Sequence, residues 1–239
     1  MEAAWHISQL DIDLSIIEIS DIILPYQLNE EGSYIFEKII QNRNIRIVKE
    51  KFVKSIQGDG KVTGVIFEDG EKIDCDMVLF AIGICPNILL LEGKGFELNR
   101  GIKVNDKMET GIENVWGCGD VTEFNGIVYG NWEAAINQAK VAGANAAGDA
   151  VTFYPPYKAY VLNSMGTEVF SSGDLGLDEK NFQAYVGKDY EQSQYKKAIF
   201  RNNRMVGAML IGESKNSLKY LQGIKNGMSA QDFLKQNLL

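Results

Sequence analysis

The segment Val115-Trp116-Gly117-Cys118-Gly119-Asp120-Val121, followed closely by Asn131-Trp132-Glu133-Ala134-Ala135, constrains this chain more than any other. A short apolar run entering Gly-x-Gly predicts a strand, a tight turn and a close backbone approach. Asp120 then stands at the carboxyl end of the predicted strand, the edge at which open α/β sheets bind nucleotides. Its carboxylate suits a sugar hydroxyl, and a helix opening near Trp132 offers unpaired N–H groups to an electron-rich ring edge. The same pattern also suits an ordinary strand–turn–helix connection with an aspartate cap, so spacing alone leaves both readings open.

Composition excludes several classes. A length of 239 residues holds one large or two small domains with a real core. A net charge of −8 argues against nucleic acid, whose phosphates demand basic patches. No apolar run approaches the roughly 20 residues that span a bilayer. No basic segment followed by an apolar one marks a secretory leader, and a cytoplasmic chain is the simplest reading. Cys75, Cys85 and Cys118 lack C-x-x-C spacing and suggest neither a disulfide framework nor a zinc site. Cys118 is expected to be a small buried residue, because neighbouring Asp120 opposes a thiolate. The single His6 leaves no histidine dyad for acid–base work.

Along the chain, residues 2–10 predict a short helix with Ala3, Ala4, Ile7 and Leu10 turned inward. Residues 14–19 are apolar and β-branched, which predicts a buried parallel strand with Glu18 at its end. Asn29, Glu30 and Glu31 open a helix whose apolar face is Ile35, Phe36, Ile39 and Ile40. Residues 45–48 predict a strand, and residues 51–74 a three-stranded meander turning at Gly58-Asp59-Gly60 and Asp69-Gly70. Residues 77–82 predict another buried strand, ending at Gly83. Residues 87–101 read as a crossing loop with a helix-like turn, residues 101–104 as a strand, and residues 132–147 as a helix rich in small side chains. Residues 152–157, with paired prolines, read as a linker. An α+β pattern follows: short strands near Val161 and Glu168, a hairpin about Asn202-Asn203, and helices over residues 214–224 and 229–234.

Two of these segments carry a family resemblance. Thr110-Gly111-Ile112-Glu113-Asn114-Val115-Trp116-Gly117-Cys118-Gly119-Asp120-Val121 resembles the second flavin motif of the pyridine-nucleotide/FAD oxidoreductases. Ala81-Ile82-Gly83-Ile84-Cys85-Pro86-Asn87 resembles the crossing motif where such chains return from the NAD domain to the FAD domain, with Cys85 where an arginine is common. The branch it resembles holds NADH:rubredoxin oxidoreductases, NADH oxidases and the flavin module of assimilatory nitrite reductases. The resemblance implies an α/β fold: truncated Rossmann-like, dinucleotide-binding domains followed by a small α+β domain. It divides the chain into a partial NAD-binding domain (1–86), the carboxy-terminal segment of an FAD-binding domain (87–154), and the small domain (155–239), either a packing domain or a docking one.

The resemblance also implies cofactors. FAD falls to Gly119, Asp120 and Val121 and to the backbone of Trp132, Glu133 and Ala134; NAD falls to Glu18 and Gly83. Glu18 would bond the adenosine ribose 2′-hydroxyl, and the absence of Arg or Lys over residues 19–24 favours NAD over NADP. Electrons would pass from NADH through flavin to a rubredoxin-like protein, dioxygen or a nitrite-reducing partner. Family members also carry two G-x-G-x-x-G fingerprints, and this chain has neither. Met1-Glu2-Ala3-Ala4-Trp5 resembles the helix just beyond the NAD fingerprint. The expectation is a carboxy-terminal piece of an enzyme, or else a non-catalytic module serving as a binding or assembly surface. A doubly wound sheet without its first strand would leave residues 14–19 and 77–82 as unpaired apolar edges. Residues 1–86 are then expected to fold poorly alone, or to close the gap by rearrangement, by self-association or by a complementing amino-terminal part.

Overall fold

The structure, a computed structural model, describes residues 1–155, 159–176, 181–212 and 215–239. The chain is mixed α/β and forms two compact units, one of Met1–Val78 with Tyr157–Leu239 and the other of Leu79–Pro156.

The first unit opens with helix α1 (Glu2–Ile7) and strand β1 (Ser15–Ile17). Helix α2 (Glu30–Gln41) follows, then strand β2 (Arg46–Val48), which pairs with β1 in parallel. Asn29 caps α2 by accepting a hydrogen bond from Gly32 N–H, and Glu30 and Glu31 complement the helix dipole in the first turn. Strands β3 (Val53–Gly58), β4 (Val62–Phe67) and β5 (Lys72–Asp74) form the expected antiparallel meander.

The carboxy-terminal part contributes a five-stranded antiparallel sheet of β8 (Ala159–Ser164), β9 (Thr167–Gly173), β10 (Gln183–Asp189), β11 (Gln194–Arg201) and β12 (Arg204–Gly212), in the order β10-β11-β12-β9-β8. Asn202 and Asn203, at φ 48° and 59°, make the β11–β12 turn in the left-handed region that a tight hairpin requires. β10 was not anticipated, because Gln183, Lys188 and Asp189 dilute its apolar pattern.

Period-two alternation makes both faces of this sheet apolar. Val169, Tyr195, Ile199, Met209 and Ile211 meet Ile35, Phe36, Ile39 and Ile40 of α2 on one side. Phe170, Ala198, Phe200, Ala208 and Leu210 meet helices α4 (Ser217–Asn226) and α5 (Ala230–Lys235) on the other, through Tyr220, Ile224 and Phe233. A helix near the start of the chain therefore shares one core with a sheet near its end. Lys188 at the end of β10 adds an ion pair to Glu31 in the first turn of α2, at 2.5 Å.

Several expectations require correction. Ala3 and Leu10 face solvent, and only Ala4 and Trp5 of α1 pack on the core, Trp5 with Arg43 across its ring at 5.0 Å. Strand β1 is half-buried, not buried, since among the described residues it pairs only with β2. Residues 77–82 form no strand: Met77, Leu79, Phe80 and Ile82 are 59–88% exposed. Apolar character alone does not make a strand; each N–H and C=O needs a ladder partner, and no described residue supplies one here. The helix expected from residue 214 begins at Ser217, and Ser214 lies outside the described residues, as do Pro156 and Tyr157 of the expected linker.

Two outcomes follow. Amide exchange should be fast over residues 77–82 and slow over β11 and β12. Phe36→Ala, emptying a fully buried position, should lower the unfolding free energy of the first unit by about 3–5 kcal/mol in urea titrations.

Candidate functional site

In the unit Leu79–Pro156, a 3-10 turn (Leu89–Leu91) leads to strand β6 (Ile102–Val104), which pairs in parallel with β7 (Thr122–Phe124), and helix α3 (Trp132–Ala146) packs beside them. The Gly-x-Gly segment precedes β7. The strand expected to end at Asp120 is reduced to one bridge between Glu109 and Trp116, and Asp120 sits in the turn that enters β7. That turn is closed by Thr122 N–H donating to Gly119 C=O at 3.0 Å.

The two glycines serve different ends. A Cβ on Gly117 would lie 3.0 Å from Thr122 Cγ2 and 3.3 Å from Val104 Cγ1, so this position is kept small by packing. Gly119 has φ +81°, in the left-handed region that side chains resist. An added Cβ there would lie 3.8 Å from Ala135 Cβ, which places the turn against the first turn of α3. Ile84, from the crossing segment, fills the space beside Gly130, next to the cap of α3. Three of the segments singled out in the sequence thus converge.

At the helix start, Asn131 accepts from Ala134 N–H at 2.9 Å. Ala134 is fully buried and its N–H is committed to this cap. The N–H groups of Trp132 and Glu133 have no acceptor within the helix and point out of its first turn. Trp132 is 85% exposed, and Asp120 is exposed as well. Val121 is half-buried. Cys118, expected to be buried, is exposed, because the turn directs it outward between the two glycines. The remaining candidates lie elsewhere. Glu18, in the first unit, accepts from Ser20 N–H at 3.0 Å just beyond the end of β1. Gly83, in the second unit, is exposed at φ +86° with open space about it.

Buried polar side chains hold this unit's loops, and sequence reasoning missed them. Gln138, 1% exposed, accepts at Oε1 from Gly119 N–H (2.8 Å) and lies 3.0 Å from Thr122 Oγ1. Glu123, 4% exposed, accepts from Asn99 Nδ2 (3.0 Å), Arg100 N–H (2.9 Å) and Gly101 N–H (3.1 Å). The Asn99 amide, with the two backbone donors, holds the Glu123 carboxyl below the usual glutamate range despite its burial. Asn145 bonds Lys107 C=O, Val151 C=O and Val151 N–H, each at 2.8 Å. The readable signal was the inward stripe Ala134, Gln138, Val141, Ala142, Asn145, in which two amides interrupt an apolar face.

A cleft of about 570 Å³ between α2 and the β10–β11 turn, lined by Tyr34, Lys38 and Tyr190 among others, contains none of the predicted residues. Among the described residues no cluster of His, Cys, Asp or Glu could hold a metal ion, and no helix is long and apolar enough to cross a membrane.

The glycine-built turn thus presents an exposed carboxylate, a hydrogen-bond acceptor, beside a helix amino terminus, a source of N–H donors. Comparison with known proteins supplies the class. Residues 1–146 match the family model for pyridine nucleotide-disulphide oxidoreductases, and residues 156–228 match the rubredoxin NAD+ reductase C-terminal domain. The chain belongs to the pyridine nucleotide-disulphide oxidoreductase family. It is 32% identical over 243 residues to a nitrite reductase [NAD(P)H] of Bacillus subtilis, covering all of this chain and 30% of that protein. It is 28% identical to the NADH-rubredoxin oxidoreductase of Clostridium acetobutylicum, covering 94% of this chain and 56% of that one. The fold is shared with an NAD-dependent persulfide reductase of A. fulgidus, at TM-score 0.81 and 22% identity over 96% of this chain and 48% of that one. The chain thus spans between 30% and 56% of the length of these relatives.

The Glu123 clamp predicts a pH response. A depressed carboxyl pKa contributes stability that is complete above the ordinary glutamate value of about 4.3 and is lost as pH falls through the lower folded value. Glu123→Gln should therefore be less stable than wild type at pH 7 and lose less on acidification below about pH 4, as measured by urea denaturation in both conditions.

Proposed function

We propose that this chain provides part of an FAD-dependent NADH oxidoreductase, with the flavin held by the unit Leu79–Pro156. The observation that carries the reading is the convergence of the Gly119–Asp120 turn on the first turn of α3, with Asp120 exposed and the N–H groups of Trp132 and Glu133 free. The donor set fits the cofactor. Asp120 accepts hydrogen bonds from hydroxyls of a sugar-alcohol chain, while the helix N–H groups and dipole favour an electron-rich ring edge. Gly119 contributes shape, since its own N–H is already used within the fold. Ala134 contributes by holding the helix start in register through the Asn131 cap.

Bound FAD supplies the electron-transfer chemistry between NADH and an acceptor. For NAD, Glu18 just beyond β1 is the proposed partner of the adenosine ribose 2′-hydroxyl, and Gly83 the proposed point of close backbone approach; the location of Glu18 after a parallel strand and the open space at Gly83 support this. The acceptor is proposed to be an electron-transfer protein of the rubredoxin type, docking on the part of the chain that resembles rubredoxin reductase; the domain match over residues 156–228 supports this. The location proposed is cytoplasmic.

Titration of the purified chain with FAD, followed by flavin fluorescence, tests the assignment. Asp120→Ala should cost about 1.5–3 kcal/mol of FAD affinity through loss of charge-assisted hydrogen bonds, roughly 10- to 150-fold in Kd. Equal affinity of wild type and variant would remove Asp120 from the site.

A further inference from the structure

We infer that Gln138 is the positioning residue of the candidate flavin site, acting through Asp120 and resting on the reading of the preceding subsection. Gly119 adopts a left-handed conformation, and its N–H is directed toward α3 and meets a side chain rather than a backbone carbonyl. The acceptor comes from Gln138 Oε1 at 2.8 Å, nineteen residues onward in the second turn of α3. The orientation of the amide is fixed by chemistry, since a backbone N–H can only donate and must therefore meet the oxygen. Thr122 Oγ1 lies 2.7 Å from Gly119 C=O and 3.0 Å from the same Gln138 oxygen, with one proton to share between them. One side-chain oxygen thus gathers both ends of the turn, Gly119 and Thr122. Asp120 and Val121 are the two residues between them.

The other half of the amide shows what this arrangement is for. Gln138 Nε2 is buried and has no partner among the described residues. A leucine or methionine would pack on this helix face and remove the unpaired Nε2, but it would leave Gly119 N–H without its acceptor. A glutamate would supply the acceptor only as the protonated acid, because desolvation and the neighbouring Asp120 both oppose a second carboxylate behind the turn. A neutral acceptor is the choice that ties down the turn and leaves Asp120 as its single charge. Because α3 also carries the free N–H groups of Trp132 and Glu133, the same bond fixes the spacing between the carboxylate and the helix start. A cofactor bridging the two needs that spacing set in advance.

The test uses the full chain, with FAD as the probe and amide exchange of Gly119 measured in its absence. Gln138→Met, of similar volume and without polar atoms, should accelerate Gly119 exchange and raise the Kd for FAD roughly tenfold, equivalent to one lost hydrogen bond of about 1.4 kcal/mol. Gln138→Glu, which keeps the acceptor and takes up a proton where desolvation demands, should restore most of both. In an Asp120→Ala background, Gln138→Met should change FAD affinity by less than about twofold, because a residue acting through Asp120 has nothing left to position. If wild type binds FAD and Asp120→Ala weakens it, yet the two substitutions simply add or Gly119 exchange is unmoved by Gln138→Met, the positioning role is overturned while the flavin reading stands. Failure of Gln138→Glu to recover affinity overturns it as well, and covers the case in which Gln138→Met does not fold. Absence of FAD binding by wild type overturns the flavin reading, and this inference with it.

Discussion

Backbone hydrogen-bond demand governs the part of this molecule where chemistry is expected. The unit Leu79–Pro156 has one two-stranded sheet and one long helix, so most of its backbone lies outside any ladder. Buried N–H and C=O groups must still be paired. Side chains of β7 and α3 meet that demand: Glu123 takes the donors of residues 99–101, Gln138 takes Gly119, and Asn145 links residues 107 and 151. Each reaches across many residues of sequence, which ties irregular segments to a rigid frame. The Asp120 turn is one of the segments so held, and its exposed carboxylate depends on inward-facing neighbours for its place.

The first unit is held by different means. Its stability comes from apolar faces brought together by periodicity: α2 presents isoleucines and Phe36 at helical spacing, and β9, β11 and β12 present both faces at strand spacing. Aromatic edges reinforce the second layer, where Phe233 meets Phe200 and Tyr220 at centroid distances of 5.5 and 5.7 Å. Such packing tolerates substitution by other apolar groups of like volume. The polar clamps of the other unit do not, since an amide or carboxylate has no apolar equivalent.

How much of this was legible in the sequence depends on whether the cause was local. Caps, hairpins and amphipathic helices depend on neighbours within a few residues, and Asn29, Asn131, Ser229 and Asn202-Asn203 all behave as their local chemistry dictates. The apolar run at residues 77–82 reads as a strand because composition registers burial preference, not the presence of a partner ladder. Gly-x-Gly-Asp announced a turn with an acidic tip, but the strand expected before it proved to be a single bridge, and β7 follows it instead. Gln138 escaped notice because its meaning lies in a backbone amide nineteen positions earlier. An amide on the buried stripe of a helix rich in alanine was the visible trace.

One consequence follows from α2 sharing a core with β11 and β12. During synthesis the isoleucine face of α2 leaves the ribosome more than a hundred residues before Tyr195, Ile199, Met209 and Ile211 are made. At roughly 5–20 residues per second, that face waits for some seconds without its native cover. Contacts of such large sequence separation close more slowly than helices wind, so this core is complete only once the last strands of the sheet have been made.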